Sequence, residues 1–254
     1  MAITIKSERE IELMAEAGKI LERVHNELEK ALHPGMSTKD IDTLGEKIIR
    51  SYGCIPSFLN YNGYPASICV SVNQEVVHGI PDKHRIIHEG DIVSLDAGVI
   101  YKGYHSDAAR THAVGEVSEE AKKLIQVTKE CFFEGIKYAK AGNHLFDISG
   151  AIGRYAEERG YGVVRDLCGH GIGTALHEAP EIPNYEVGRK GVKLRPGMTL
   201  AIEPMINIGT HEVDWLDDDW TVVTRDGSLS AHYENTILIT EGEPRILSLT
   251  CDNE

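Results

Sequence analysis

The chain is 254 residues long, with 41% hydrophobic and 26% charged residues and a formal net charge of −14. That length builds one large domain or two small ones, the acidic balance disfavours intrinsic binding to nucleic-acid phosphates, and no apolar run is long enough to span a membrane. The opening Met1-Ala2-Ile3-Thr4-Ile5-Lys6 has no signal-peptide core, so the chain is expected to stay in the cytosol.

Helix signals come first. Ser7-Glu8-Arg9-Glu10 is a capping box, and Ile11, Met14, Ala15, Leu21 and Leu28 follow at helical spacing until Pro34-Gly35 breaks the run. A second helix is expected from about Thr38 to Ser51, with Ile41, Leu44, Ile48 and Ile49 as its apolar stripe and Gly53 as its stop. Strand patterns cover Ser67–Val72, Asp91–Tyr101 and a run around Asp107. The order then repeats. Ser118 precedes a helix to about Ala139, Gly142-Asn143 breaks it, and a further helix ends at Gly160. Strands are expected at roughly Gly197–Ile208, Trp220–Arg225 and His232–Thr240. Cys54, Cys69, Cys131, Cys168 and Cys251 are odd in number, scattered and without a Cys-x-x-Cys pair, which suits a reducing compartment and argues against a disulfide framework or a cysteine zinc site.

A constant offset of 107 positions joins Gly35 to Gly142, Asp40-Ile41 to Asp147-Ile148, Gly53 to Gly160 and Asp96 to Glu203. The two acids end matching apolar runs that begin at Gly90 and Gly197. Helix–helix–strands, twice over, predicts an α+β fold with a pseudo-twofold internal repeat. It is read as one domain over residues 1–254, with halves of about 7–115 and 116–249. A carboxylate in an apolar strand is costly unless paired or metal-bound, so the pair points to a shared site on the axis between the halves.

Further residues join that pair. Asp107 lies in Tyr104–Thr111 and Glu234 in Ser230–Thr236; His170 and His177 bracket a glycine-rich segment, His78 precedes Gly79-Ile80-Pro81, and Trp220 begins a strand pattern. Hard oxygen donors with a single imidazole suit Mn, Fe or Co better than a structural zinc. Four carboxylates carry four negative charges, which two divalent ions balance. Such a pair of ions lowers the pKa of a bridging water and polarises a carbonyl, and a second histidine can stabilise the developing oxyanion. Taken singly the residues are less telling. Glu234 shares a strand face with His232 and Thr236 and could face solvent, a histidine among glycines is often only polar, and Trp220 alone reads as core. Other motifs fail. His177-Glu178-Ala179-Pro180-Glu181 lacks the second histidine of a zincin helix and carries a helix-breaking Pro180. Gly169-x-Gly171-x-Gly173 has Thr174 where a dinucleotide loop needs glycine.

The segments His78-Gly79-Ile80-Pro81, Asp96-Ala97-Gly98, Ser106-Asp107, Gly169-His170-Gly171-Ile172-Gly173, Glu203-Pro204 and Glu234-Asn235-Thr236 together resemble the type I methionine aminopeptidases, from about Lys6 to Leu249. The resemblance implies the pita-bread fold, with helices packed outside a curved antiparallel sheet, and removal of the initiator methionine from nascent polypeptide N-termini when the second residue is small. It implies that Asp96, Asp107, His170, Glu203 and Glu234 bind two divalent metal ions (Mn, Fe or Co), with Asp107 and Glu234 bridging, and that Glu203 also serves as general base. It assigns His177 to the substrate carbonyl, His78 to the scissile nitrogen, and Tyr61, Tyr64, Cys69 and Trp220 to the methionine pocket. Leu176 stands where many relatives have phenylalanine against the methionine side chain, and Asn62 replaces a frequent histidine near the pocket entrance, so side-chain selectivity is where this chain departs.

The lack of a long stretch before Ser7, or of a long insertion between His177 and Glu203, resembles the short bacterial form. Met1 is followed by the small Ala2, so the mature protein is expected to begin at Ala2. A monomer is favoured, with no membrane or direct nucleic-acid partner and room for a transient association with the ribosome. Two other readings stay open: a prolidase or aminopeptidase P-like peptidase of the same fold, and a binding relative that lost catalysis. The former usually carries a large amino-terminal domain; the latter should have lost metal ligands.

Overall fold

The computed structural model describes residues 2–249; the fate of Met1 and the fifth cysteine, Cys251, lie outside the described residues. Helix α1 (Glu8–Ala31) begins where the sequence places its cap, the Glu10 carboxylate accepting the Ser7 backbone N–H at 2.7 Å. Helix α2 spans Thr38–Ser51, as expected, with the Ser37 hydroxyl accepting the Asp40 N–H at 3.1 Å. Helix α3 (Glu119–Ile136) stops short of Ala139, because Tyr138 and Ala139 turn back to Gly135 and Ile136 in tighter i→i−3 hydrogen bonds. Helix α4 covers Leu145–Glu157.

The repeat is physical. Helices α2 and α4 begin 107 positions apart, and the backbone bridges Ser37↔Ile86 and His144↔Lys193 obey the same offset. So do three pairs of left-handed glycines: Gly35 and Gly142 (φ 93° and 95°), Gly53 and Gly160 (73° and 82°), Gly90 and Gly197 (94° and 85°). Side chains other than glycine rarely take these values, so the turns of both halves rest on glycine.

One antiparallel sheet of nine strands joins the halves. Its central path runs Ile92–Tyr101, Tyr104–Ala113, Glu234–Leu238, Thr199–Ile202, Gly169–Gly171, then Glu178–Ile182. Strand residues alternate between faces. Leu95, Ala97 and Ala108 pack with Leu21, Val24 and Ile49 of α1 and α2; Leu200, Ile202 and Ile237 pack with Phe132, Ile148 and Ile152 of α3 and α4. Helices therefore cover one face, and Asp96, Asp107, Ala109, Ala201, Glu234 and Thr236 line the other. Burying side chains of this size stabilises the fold by about 1.5–3 kcal/mol each.

Two expected strands are broken. Gly197–Ile208 divides into Thr199–Ile202 and Met205–Asn207, and His232–Thr240 into Ser230–His232 and Glu234–Leu238. Pro204 has no N–H to give a ladder, and Tyr233 donates its N–H to the Pro204 carbonyl at 3.2 Å. Both chains leave the large sheet at this point. Met205–Asn207 pairs with Ser230–His232 in a separate three-stranded sheet with Gly162–Val163. Val222–Thr224, inside the expected Trp220–Arg225, pairs with Val213–Trp215 and Glu75–Val77, two strands the sequence pattern did not mark.

Candidate active site

Each of five neighbouring strands of the large sheet brings one ionisable side chain to the open face or its edge. Asp96 stands opposite Ala109, and Ala109 opposite Glu234, so the two acids flank one row; Asp107 lies two residues from Ala109 on the same face. His170 and Thr236 both stand opposite Ala201, and Glu203 follows Ala201 by two, just past the strand end. All five side chains named by the sequence as metal ligands therefore converge. Glu234, which could have faced solvent, is 2% exposed.

The surrounding chain is built to hold them. Gly169 and Gly171 flank His170 because a Cβ would lie 2.4 Å from the Ala201 carbonyl oxygen at one and 2.2 Å from the Ala179 carbonyl oxygen at the other. The segment is a strand rather than the loop its glycines suggest. The Thr236 hydroxyl accepts the Asp107 N–H and donates to the Asp107 carbonyl, both at 2.9 Å. Asn184 donates to the Glu203 carbonyl at 3.1 Å, fixing the backbone at the strand break. Asn184 was not named from sequence, and Thr236 only as a neighbour of Glu234; their roles depend on pairing across distant segments.

The electrostatics are those of an unneutralised acid cluster. Burial, then the neighbouring carboxylates, pushes Asp96, Glu203 and Glu234 well above the usual range, and burial pushes Asp107 up to about 7. Asp96 Oδ1, Asp107 Oδ1 and Glu234 Oε1 are buried with no hydrogen-bond partner. His170 Nδ1 lies 2.9 Å from the Gly171 carbonyl, which accepts its N–H and leaves Nε2 as a free lone pair. Burial first, then His177, lowers the His170 pKa to about 3, so the ring is neutral. Nε2 is 3.6 Å from Glu203 Oε1 and 3.9 Å from Asp107 Oδ2. Those separations are too long for hydrogen bonds and suit donors that share a cation about 2.1 Å from each. Orphaned buried oxygens, a neutral imidazole with an aimed lone pair and these spacings fit a divalent metal centre.

A cavity of about 140 Å³ opens beside the cluster. Tyr61, Asn62, Tyr64, Cys69, His78, Leu176, His177 and Trp220 all line it, so the structure brings the residues expected on the substrate side together around one cavity. Phe58 also lines it and was not foreseen. The ring of Trp220 meets Tyr64 edge-on at 5.1 Å and His78 at 6.3 Å. His78 takes a left-handed φ of 59°, and burial lowers its pKa to about 4. His177 stacks edge-on against His170 at 4.2 Å.

Of the histidines the sequence left without a role, one adjoins the cluster. His232 is buried two residues before Glu234, and burial lowers its pKa to about 3. The alternation that pairs it with Glu234 was legible; the burial of that face was not.

The family model described as metallopeptidase family M24 matches residues 12–241. A methionine aminopeptidase of Clostridium acetobutylicum is 58% identical over 97% of this chain and 99% of its own length. Methionine aminopeptidase 1 of Bacillus subtilis is 51% identical over 94% and 96%. The crystal structure of methionine aminopeptidase from Thermotoga maritima superposes with a TM-score of 0.96 at 47% identity, covering 98% of this chain and 100% of that one. An Xaa-Pro dipeptidase from Bacillus anthracis shares the fold at a TM-score of 0.77 and 27% identity, with 62% of its length covered. The pita-bread arrangement expected from sequence is thus borne out, and the chain belongs to metallopeptidase family M24.

Proposed function

We propose that this chain is a divalent-metal-dependent methionine aminopeptidase that removes the initiator methionine from nascent polypeptides when the second residue is small. The observation that carries the reading is the convergence of Asp96, Asp107, His170, Glu203 and Glu234 from five strands beside a largely apolar cavity. High identity to methionine aminopeptidases over nearly the whole chain supports it.

In this reading those five residues hold two divalent ions, since two such ions balance four carboxylates. Oxygen-rich donors with imidazole suit Mn, Fe or Co. Ions held by these residues would lower the pKa of a water and polarise the substrate carbonyl. Glu203 accepts the proton of the attacking water and returns it to the leaving amine. Tyr61 sits 2.7 Å from His177 Nδ1; with the hydroxyl donating, His177 Nε2 carries a proton and donates it in a hydrogen bond to the carbonyl oxygen. His78, neutral through burial, contacts the scissile nitrogen. Tyr61, Tyr64, Cys69, Leu176 and Trp220 enclose the methionine side chain and exclude water.

Residues 1–254 act as one catalytic domain, and the acidic surface favours a monomer. We place the activity in the cytoplasm, with any ribosome contact transient. The free Cys54, Cys69, Cys131 and Cys168 suit that compartment. Among the described residues no helix is long and apolar enough to cross a membrane.

The test is release of free methionine from a Met-Ala-Ser peptide by chelator-stripped protein reloaded with Mn²⁺. Metal-dependent release is expected. Release only from an Xaa-Pro peptide would replace the reading with the prolidase-type activity of the same fold, and absence of bound metal would remove the enzyme reading.

A further inference from the structure

The metal cluster has a second imidazole. His232 is 2% exposed, and neither ring nitrogen has a hydrogen-bond partner. A buried polar atom without a partner is destabilising, so an unpaired buried imidazole needs an explanation. Its backbone is fixed independently of the ring: the His232 N–H donates to the Thr111 hydroxyl, and that hydroxyl donates to the His232 carbonyl, both at 2.9 Å.

What the ring faces is carboxylate. Nε2 stands 3.8 Å from Glu234 Oε2, beyond hydrogen-bond reach. One ring nitrogen of His232 and one oxygen each from Glu203 and Glu234 lie within 4.8 Å of one another. The only other group of this kind among the described residues is Asp107, His170 and Glu234. The two groups share Glu234. The 3.8 Å spacing matches the 3.6 Å and 3.9 Å that separate His170 Nε2 from its own carboxylate neighbours. Two donors each about 2.1 Å from one ion fall about 3–4 Å apart. Glu234 Oε1 is likewise buried without a partner.

We propose that His232 is a direct nitrogen ligand of the metal centre, forming with Glu203 and Glu234 a second group of donors beside that of His170. The inference rests on the reading that the carboxylate cluster holds divalent ions. It gives the centre two nitrogen donors instead of one, which shifts its preference among first-row divalent ions from Mn²⁺ toward Fe²⁺ and Co²⁺.

The experiment is proton NMR of the full-length protein titrated with Co²⁺, which shifts the exchangeable ring N–H of each ligating histidine far outside the ordinary spectrum. Two such signals are expected in the unaltered protein, with one lost in H232Q. The count needs no variant, so a poorly folding H232Q does not spoil the test. H232Q should also bind Co²⁺ at least about tenfold more weakly by calorimetry. A single shifted signal, or unchanged Co²⁺ affinity in folded H232Q, overturns the assignment of His232 and leaves the metal reading standing. No shifted signal and no Co²⁺ binding overturns both.

Discussion

The Tyr61 hydroxyl and Nδ1 of His177 are 2.7 Å apart, joining a short turn in the first half of the chain to the segment after His170 in the second. This contact fixes the His177 ring at the cavity wall and selects its tautomer. Tyr61→Phe should lower kcat about fivefold, the kinetic equivalent of one ordinary hydrogen bond of about 1 kcal/mol. Metal content, read by plasma emission, should not change. H177A should lower kcat further with metal still bound; loss of metal would instead make His177 a ligand.

Glu203→Gln removes a charge from the cluster and the proposed base together. Turnover on Met-Ala-Ser should fall by at least about 100-fold. Near-normal turnover in metal-loaded mutant protein would assign the proton transfer elsewhere.

Metal stabilisation should grow with pH. Asp107 is pushed up to about 7 in the folded chain, against about 3.9 when unfolded. Between those values the folded metal-free protein holds a proton that the unfolded chain has released. The stability this group contributes is therefore full below about pH 3.9 and is lost as the pH rises through about 7. Divalent ions take the deprotonated oxygens. The rise in melting temperature on adding Co²⁺ should be larger at about pH 8 than at about pH 5.5; differential scanning fluorimetry showing equal rises would contradict this.

Lys6 Nζ lies 2.6 Å from Glu178 Oε2, with side chains 5% and 11% exposed. The pair clamps the residue after His177 to the start of the chain. Lys6→Met leaves the largely buried Glu178 carboxylate without its counter-ion, held only by the Thr4 hydroxyl at 2.7 Å and the Ala175 N–H at 3.3 Å, at a cost of about 3 kcal/mol in urea denaturation. K6M/E178L should recover part of that loss, because the orphaned charge is gone; a double variant weaker than K6M would show that the clamp itself matters more.

Leu176 is 2% exposed and lines the cavity beside the carboxylate cluster. Leu176→Phe adds a ring edge for the substrate sulfur, worth about 0.3–1.5 kcal/mol. The ratio of kcat/KM for methionine over norleucine substrates should rise by about 2–10-fold. Overpacking should lower stability by about 1–3 kcal/mol. An unchanged ratio would place the sulfur against Tyr64 or Trp220 instead.

Much of this was legible in the sequence, for identifiable reasons. The capping boxes at Ser7 and Ser37 and the glycines at the shared offset are local signals, and the helices follow them closely. Asp96 and Glu203 stood out because a carboxylate in an apolar run is rare. That Tyr61, Cys69, Leu176 and Trp220 line one cavity was reachable only through family resemblance, since they come from four separated segments. The breaks at Pro204 and Tyr233 were missed because they arise from one contact between the two chains. Gly169–Gly171 is too short and too glycine-rich to read as a strand until its close approach to Ala201 is known.

The distribution of the donors along the chain also sets an order of events. Asp96 and Asp107 leave the ribosome well before His170, Glu203 and Glu234. A chain that ends before His170 offers two of the four carboxylates and no imidazole of the cluster. Capture of the proposed metal is therefore expected late in biogenesis, in chains whose two halves have closed on each other. Prematurely terminated products should go to degradation without withdrawing metal from the cell.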